Sequence, residues 1–85
     1  MSRAPEVKQA LREWVALKSG KVRSEDLDDE TPILEQRIIT SLQVMDLILH
    51  IEKLTRKAID VENLSMGSFR NVNAIYQNFF QEDTL

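Results

Sequence analysis

Residues 38–54 read Ile38-Ile39-Thr40-Ser41-Leu42-Gln43-Val44-Met45-Asp46-Leu47-Ile48-Leu49-His50-Ile51-Glu52-Lys53-Leu54, and this stretch decides the fold class. No glycine or proline interrupts it, and its apolar residues recur at helical spacing. At 100° per residue, Val44, Leu47, Ile48, Ile51 and Leu54 fall on one broad face, the expected core face. Leu42, Met45 and Leu49 fall on the opposite face at i, i+3 and i+7, flanked by Asp46, Lys53 and Arg56. The helix is expected over 41–56, ending near Lys57, whose charge complements the C-terminal end of the dipole. A helix in so small a domain cannot bury both faces within its own fold, so the second stripe is either exposed or covered by a partner. Apolar residues rimmed by charge mark a protein-binding site. The plainer alternative is the scatter of single apolar side chains found on any surface.

Toward the N-terminus, a first helix is expected over 5–18, with Pro5 in the first turn, where its missing N–H costs nothing. Val7, Leu11, Trp14, Val15 and Lys18 form its expected buried stripe, with Ala10 beside them, and Ser19-Gly20 ends it. A long connection over 21–40 follows. Asp28, Asp29 and Glu30 before Thr31-Pro32 signal a turn, and Val22, Leu27, Ile33, Leu34, Ile38 and Ile39 are available to pin the segment to the core, part of it as helix. Toward the C-terminus, a short helical turn is expected over 61–64, then a loop through Gly67. A last helix is expected over 71–81, with Asn71 as N-cap and Val72, Ile75, Tyr76, Phe79 and Phe80 as its buried stripe. The expectation is one all-α domain over 1–85. It has an ordered core over 5–81, a short tail at 82–85, three main helices, one short helix and a long first loop.

Composition narrows the function classes. Eighty-five residues hold one small core, and folding such a chain buries only about two-thirds of its unfolded surface. There is no cysteine, so no disulfide and no thiolate metal site. A net charge of −3 and a pI near 5.1 oppose non-specific nucleic-acid binding, which needs clustered Lys and Arg. No apolar run is long enough to span a bilayer, and the first residues lack the pattern of a secretion signal, so the expected location is cytoplasmic, with no membrane partner.

Ser41 opens the central helix. It could serve as the helix cap, a role Thr40 could fill as well. Alternatively it could bear a phosphate, because the first turn of a helix offers free N–H groups and the positive end of the dipole. Ser41, Asp46 and His50 contain the letters of a catalytic triad, but nine residues of helix, roughly 13 Å along the axis, separate Ser41 from His50. A nucleophile and its base must lie within hydrogen-bond reach, so no enzyme activity is expected. His50 and Glu52, two apart on a helix, do not face one another, and no second histidine exists to complete a metal site.

Three segments together resemble the acyl carrier protein family. They are Asp29-Glu30-Thr31-Pro32-Ile33-Leu34-Glu35, then Ile38-Ile39-Thr40-Ser41-Leu42, then Asp46-Leu47-Ile48-Leu49-His50-Ile51-Glu52. In that family a D-x-T-P-L-x-E loop leads to a D-S-L motif at the start of helix 2. Ile59-Asp60-Val61-Glu62-Asn63 is similar to the family's segment after helix 2. Phe69-Arg70-Asn71-Val72-Asn73-Ala74-Ile75 is similar to its F-R-S-I-x-A-I lead into the last helix, most closely in free-standing carriers of secondary metabolism and aminoacyl carriers. The resemblance covers nearly the whole chain.

The resemblance implies an acyl-carrier-like bundle with 4'-phosphopantetheine attached covalently to Ser41. It implies a thioester-bound acyl or aminoacyl cargo, in polyketide or nonribosomal-peptide-type biosynthesis. The implied partners are a phosphopantetheinyl transferase, an adenylating ligase or acyltransferase that loads the thiol, and downstream acceptor enzymes, all met by a monomer. Leu42, Met45 and Leu49 match positions where family members meet partners, and Asp46 and Glu52 match acidic positions that attract basic surfaces. Two positions depart from the pattern: Thr40 stands where the family has aspartate, and Arg37 where glycine is common. Lys53, Arg56 and Lys57 also make the end of helix 2 more basic than is usual, which fits either an acidic patch on a partner or a solvated terminus. The rival to the carrier is a non-catalytic helical interaction module that uses the Leu42, Met45 and Leu49 face without modification of Ser41.

Overall fold

The computed structural model describes residues 4–60, 62 and 64–80. They form an all-α fold of three helices, α1 (Ala4–Ser19), α2 (Ser41–Thr55) and α3 (Val72–Phe79), with no strand among the described residues. Short 3₁₀ turns at Ser24–Asp26 and Met66–Phe69 punctuate the connections. Val61 and Asn63, within the short turn expected over 61–64, lie outside the described residues, as do Gln81, the expected end of the last helix, and the tail at 82–85. The stretch around Gly67, expected as loop, is instead the 3₁₀ turn Met66–Phe69. The Ser65 hydroxyl accepts from the Gly67 N–H at 3.3 Å, and Phe69 is buried in a stack with Phe79, ring centroids 5.3 Å apart.

Each helix ends where local chemistry stops it. Pro5 sits in the first turn of α1, and Gly20 closes that helix at φ +67°, its N–H donating to the Ala16 carbonyl at 3.0 Å. Asn71 caps α3 as expected, its Oδ1 accepting from the Ala74 N–H at 2.7 Å. α2 ends at Arg56, which takes the left-handed conformation at φ 58° while its N–H donates to the Glu52 carbonyl.

One continuous core joins these pieces: Leu11 and Val15 from α1, Val44, Leu47, Ile48 and Ile51 from α2, then Phe69, Val72, Ala74 and Ile75. Full burial of the Val, Leu, Ile and Phe side chains among these stabilises the fold by about 1.5–3 kcal/mol each. The buried stripe of α1 is narrower than its spacing implied. Val7 and Trp14 are half-buried, Ala10 is exposed, and Lys18 is exposed with its ammonium over the Trp14 ring. Leu54, expected in the core, is 47 % exposed: it lies in the last turn of α2, at the edge of the apolar face. On α3, Tyr76, Phe79 and Phe80 are half-buried.

The 20–40 connection is fastened along its length. Leu27, Ile33, Ile38 and Ile39 are buried. Ile33 is its knot: its N–H donates to the Arg70 carbonyl, and its own carbonyl accepts from the N–H groups of Ile38 and Ile39. Asp29 ties the loop to α1, through an ion pair with Arg12, and to α3, through its carbonyl, which accepts from the Asn73 N–H at 2.9 Å. Asp28 and Thr31 close the expected turn. The Thr31 hydroxyl accepts from the Asp28 N–H, and the Asp28 carboxylate accepts from the Glu30 N–H. This bracing delivers the chain to Thr40 in a fixed direction.

Candidate functional site: the start and outer face of α2

Thr40, with extended backbone (φ −97°, ψ 164°), is the cap of α2. Its hydroxyl accepts from the Gln43 N–H at 3.2 Å, and the Gln43 Oε1 accepts from the Thr40 N–H at 2.9 Å, a reciprocal capping box. Gln43 also donates from Nε2 to the Lys18 carbonyl at 3.1 Å, tying the start of α2 to the end of α1. The Thr40-x-x-Gln43 spacing of this box is visible in the sequence.

Ser41 is therefore not the cap. It occupies the first helical position, is exposed, and its hydroxyl has no hydrogen-bond partner among the described residues. The N–H groups of Ser41 and Leu42 likewise have none, since the capping interactions begin at Gln43. A phosphate ester on Ser41 would lie at the positive end of the helix dipole beside two free donors.

Beyond Ser41 the three outward apolar residues are open to solvent: Leu42 at 82 %, Met45 at 52 % and Leu49 at 57 %. Leu17 near the end of α1 is exposed as well, a residue that its position off the Leu11 and Val15 stripe leaves without a signal in sequence. α1 runs antiparallel to α2 along this side. Trp14 stacks on His50 with centroids 5.3 Å apart, and Lys18 Nζ lies 3.6 Å from Asp46 Oδ2.

The charged residues divide into two groups. Asp46 is paired with Lys18, and the Glu52 carboxylate accepts from the Ile59 N–H at 2.8 Å, holding the segment that follows α2. Lys53 and Arg56 are exposed and form no ion pair among the described residues. His50, half-buried, has its pKa lowered by burial and secondarily by the charge of Lys53. No hydrogen bond joins Ser41, Asp46 and His50, and the described residues offer no group of three carboxylate or imidazole side chains placed to hold a metal.

A groove of about 550 Å³ opens elsewhere, lined by Ile51, Thr55, Ile59, Leu64, Ser68 and Phe79 among others. Its wall on α2 begins about 15 Å along the helix from Ser41, so it is separate from the serine. None of the helices among the described residues is long and apolar enough to cross a membrane. Compared with protein-family models and with curated proteins, the chain gives no match.

Proposed function

We propose that this protein is a carrier of the acyl carrier type, with 4'-phosphopantetheine on Ser41. One observation carries the reading: Ser41 stands exposed at the first position of α2 with the capping duty taken by Thr40 and Gln43, beside an open ridge of Leu42, Met45 and Leu49. A serine with no structural task, next to an uncovered apolar surface, is what a modified carrier requires. The all-α fold supports the finer assignment, an acyl-carrier-like bundle with three main helices and a short one before the last. Arg37 supports it too. Its backbone is left-handed at φ 57°, the conformation that favours glycine, which is common there in the family the sequence resembles.

In this reading a transferase joins the Ser41 oxygen to the phosphopantetheine phosphorus of coenzyme A. The bond to the adenosine bisphosphate breaks, and the hydroxyl proton passes to the transferase. Anchored on Ser41, the group would supply a terminal thiol able to carry an acyl or aminoacyl cargo as a thioester, for an adenylating ligase or acyltransferase to load and acceptor enzymes to receive. The residues of this chain do no bond chemistry beyond offering the serine oxygen. The free N–H groups of Ser41 and Leu42 stabilise the resulting phosphodiester, and the ridge docks each enzyme in turn. Tethering raises the effective concentration of the intermediate at those enzymes. The assignment to polyketide or nonribosomal-peptide-type biosynthesis rests on the Phe69-to-Ile75 segment. Thr40 supplies a cap but no negative charge, so the transferase meets no carboxylate at that position. The test is transferase-dependent modification of the folded protein that disappears in Ser41→Ala. An unmodified serine with a ridge that still binds partners would instead identify an interaction module.

A further inference from the structure

The C-terminal end of the outer face of α2, with Lys53, Arg56 and Lys57, is more basic than the chain as a whole. The net charge is −3, yet six acids (Glu25, Asp26, Asp28, Asp29, Glu30 and Glu35) fall within 24–36, where no Lys or Arg occurs. On α2 both outward acids are occupied inside the molecule, Asp46 by Lys18 and Glu52 by the Ile59 N–H. Both outward bases, Lys53 and Arg56, are exposed and without ion pairs among the described residues. Lys53 lies on the row of Leu49 at i+4, and Arg56 follows as the left-handed residue that ends α2, so the apolar ridge leads toward two exposed cations. At the other end lies the positive terminus of the helix dipole.

We propose that this face docks protein surfaces that set Asp or Glu side chains beside an apolar patch, with those carboxylates meeting Lys53 and Arg56. The proposal rests on the carrier reading for why the ridge is left open. Charge complementarity selects the occupant: a local acidic rim fits the two cations, whereas an extended polyanion such as an anionic bilayer or a nucleic acid is repelled by the acidic remainder of the chain. Pairs at such a rim act chiefly on specificity and association rate, and salt weakens them.

The experiment uses the full chain, ¹⁵N-labelled, and two synthetic amphipathic helical peptides that share one apolar face and carry either Glu or Lys beside it. The Glu peptide should shift the amides of Leu42, Met45, Leu49, Lys53 and Arg56, and bind about fivefold tighter than the Lys peptide, the worth of two surface pairs. The double variant K53E/R56E, whose changes lie on exposed positions, should reverse that preference while its other amides stay in place. Equal or tighter binding of the Lys peptide to the parent overturns the proposal. So does an unchanged preference in the double variant, the absence of shifts with either peptide, or shifts at these residues produced only by phosphatidylserine vesicles. The parent is also treated with a phosphopantetheinyl transferase and coenzyme A. An unmodified Ser41 with the charge preference intact removes the carrier reading and leaves the docking polarity standing, and a modified Ser41 without the preference does the reverse.

Discussion

Leu47 and Leu49 stand two residues apart on α2. The first is completely buried and the second is 57 % exposed. The contrast extends along the helix, with Val44, Ile48 and Ile51 packed on one side and Leu42 and Met45 open on the other. Local helix formation treats both sets alike, so the difference lies in tertiary packing: α1, the braced loop and α3 cover one side only. The inner row holds the domain together. The outer row adds little to folding, and in the proposed reading it serves association.

The largest effects should break this symmetry of composition most visibly. Leu47→Ala should cost about 2–5 kcal/mol, enough to unfold much of so small a domain, whereas Leu49→Ala should stay within about 0.5 kcal/mol. Urea denaturation of the two variants measures the difference, and equal losses would mean that the ridge is buried after all. The same logic separates Thr40 from Ser41. Thr40→Ala should cost about 1 kcal/mol through loss of the cap, while Ser41→Ala should be within about 0.5 kcal/mol, because alanine is a good helix former and no bond is lost. Comparable destabilisation by both would return Ser41 to a structural role.

Smaller effects sharpen the picture of how α2 is delivered. Arg37 holds a left-handed backbone that costs a side-chain-bearing residue about 1–2 kcal/mol, against roughly 0.5–1 kcal/mol of extra chain entropy lost by glycine. Arg37→Gly should therefore raise stability by up to about 1 kcal/mol, read as a higher denaturation midpoint, and a clear loss would contradict this. The smallest effect belongs to His50 on the α1 side of the helix. Burial, reinforced by Lys53, keeps its pKa below the ordinary 6.5. The unfolded chain takes up the proton first as pH falls. The contribution of His50 is thus full above pH 6.5 and is lost as pH drops from there through the folded value. His50→Gln should flatten this part of the stability profile between about pH 8 and about pH 5, and an unchanged profile would remove His50 from it.

Much of this was legible from spacing. Both faces of α2, the Gly20 and Asn71 caps, the turn at Asp28 to Thr31 and the apolar pins of the loop all follow from local rules. What escaped depends on neighbours distant in sequence. A helical wheel gives Leu54 a direction but cannot tell that the cover over the last turn of α2 stops short of it. Lys18 fitted the stripe of α1 by position, yet its charge finds Asp46 and the Trp14 ring at the rim. Glu52 matched an acidic docking position in the family resemblance, and its carboxylate is taken by the Ile59 N–H, a bond that sequence spacing does not announce. The 3₁₀ turn that buries Phe69 was hidden by Gly67, which reads as loop.

The most decisive measurement is the intact mass of the folded protein and of Ser41→Ala after incubation with coenzyme A, Mg²⁺ and a broad-specificity phosphopantetheinyl transferase, with an established carrier modified in the same tube. The carrier reading predicts a single phosphopantetheine adduct on the parent and none on the variant. A parent that stays unmodified while the control is fully converted, and stays so across transferases of different specificity, would contradict it.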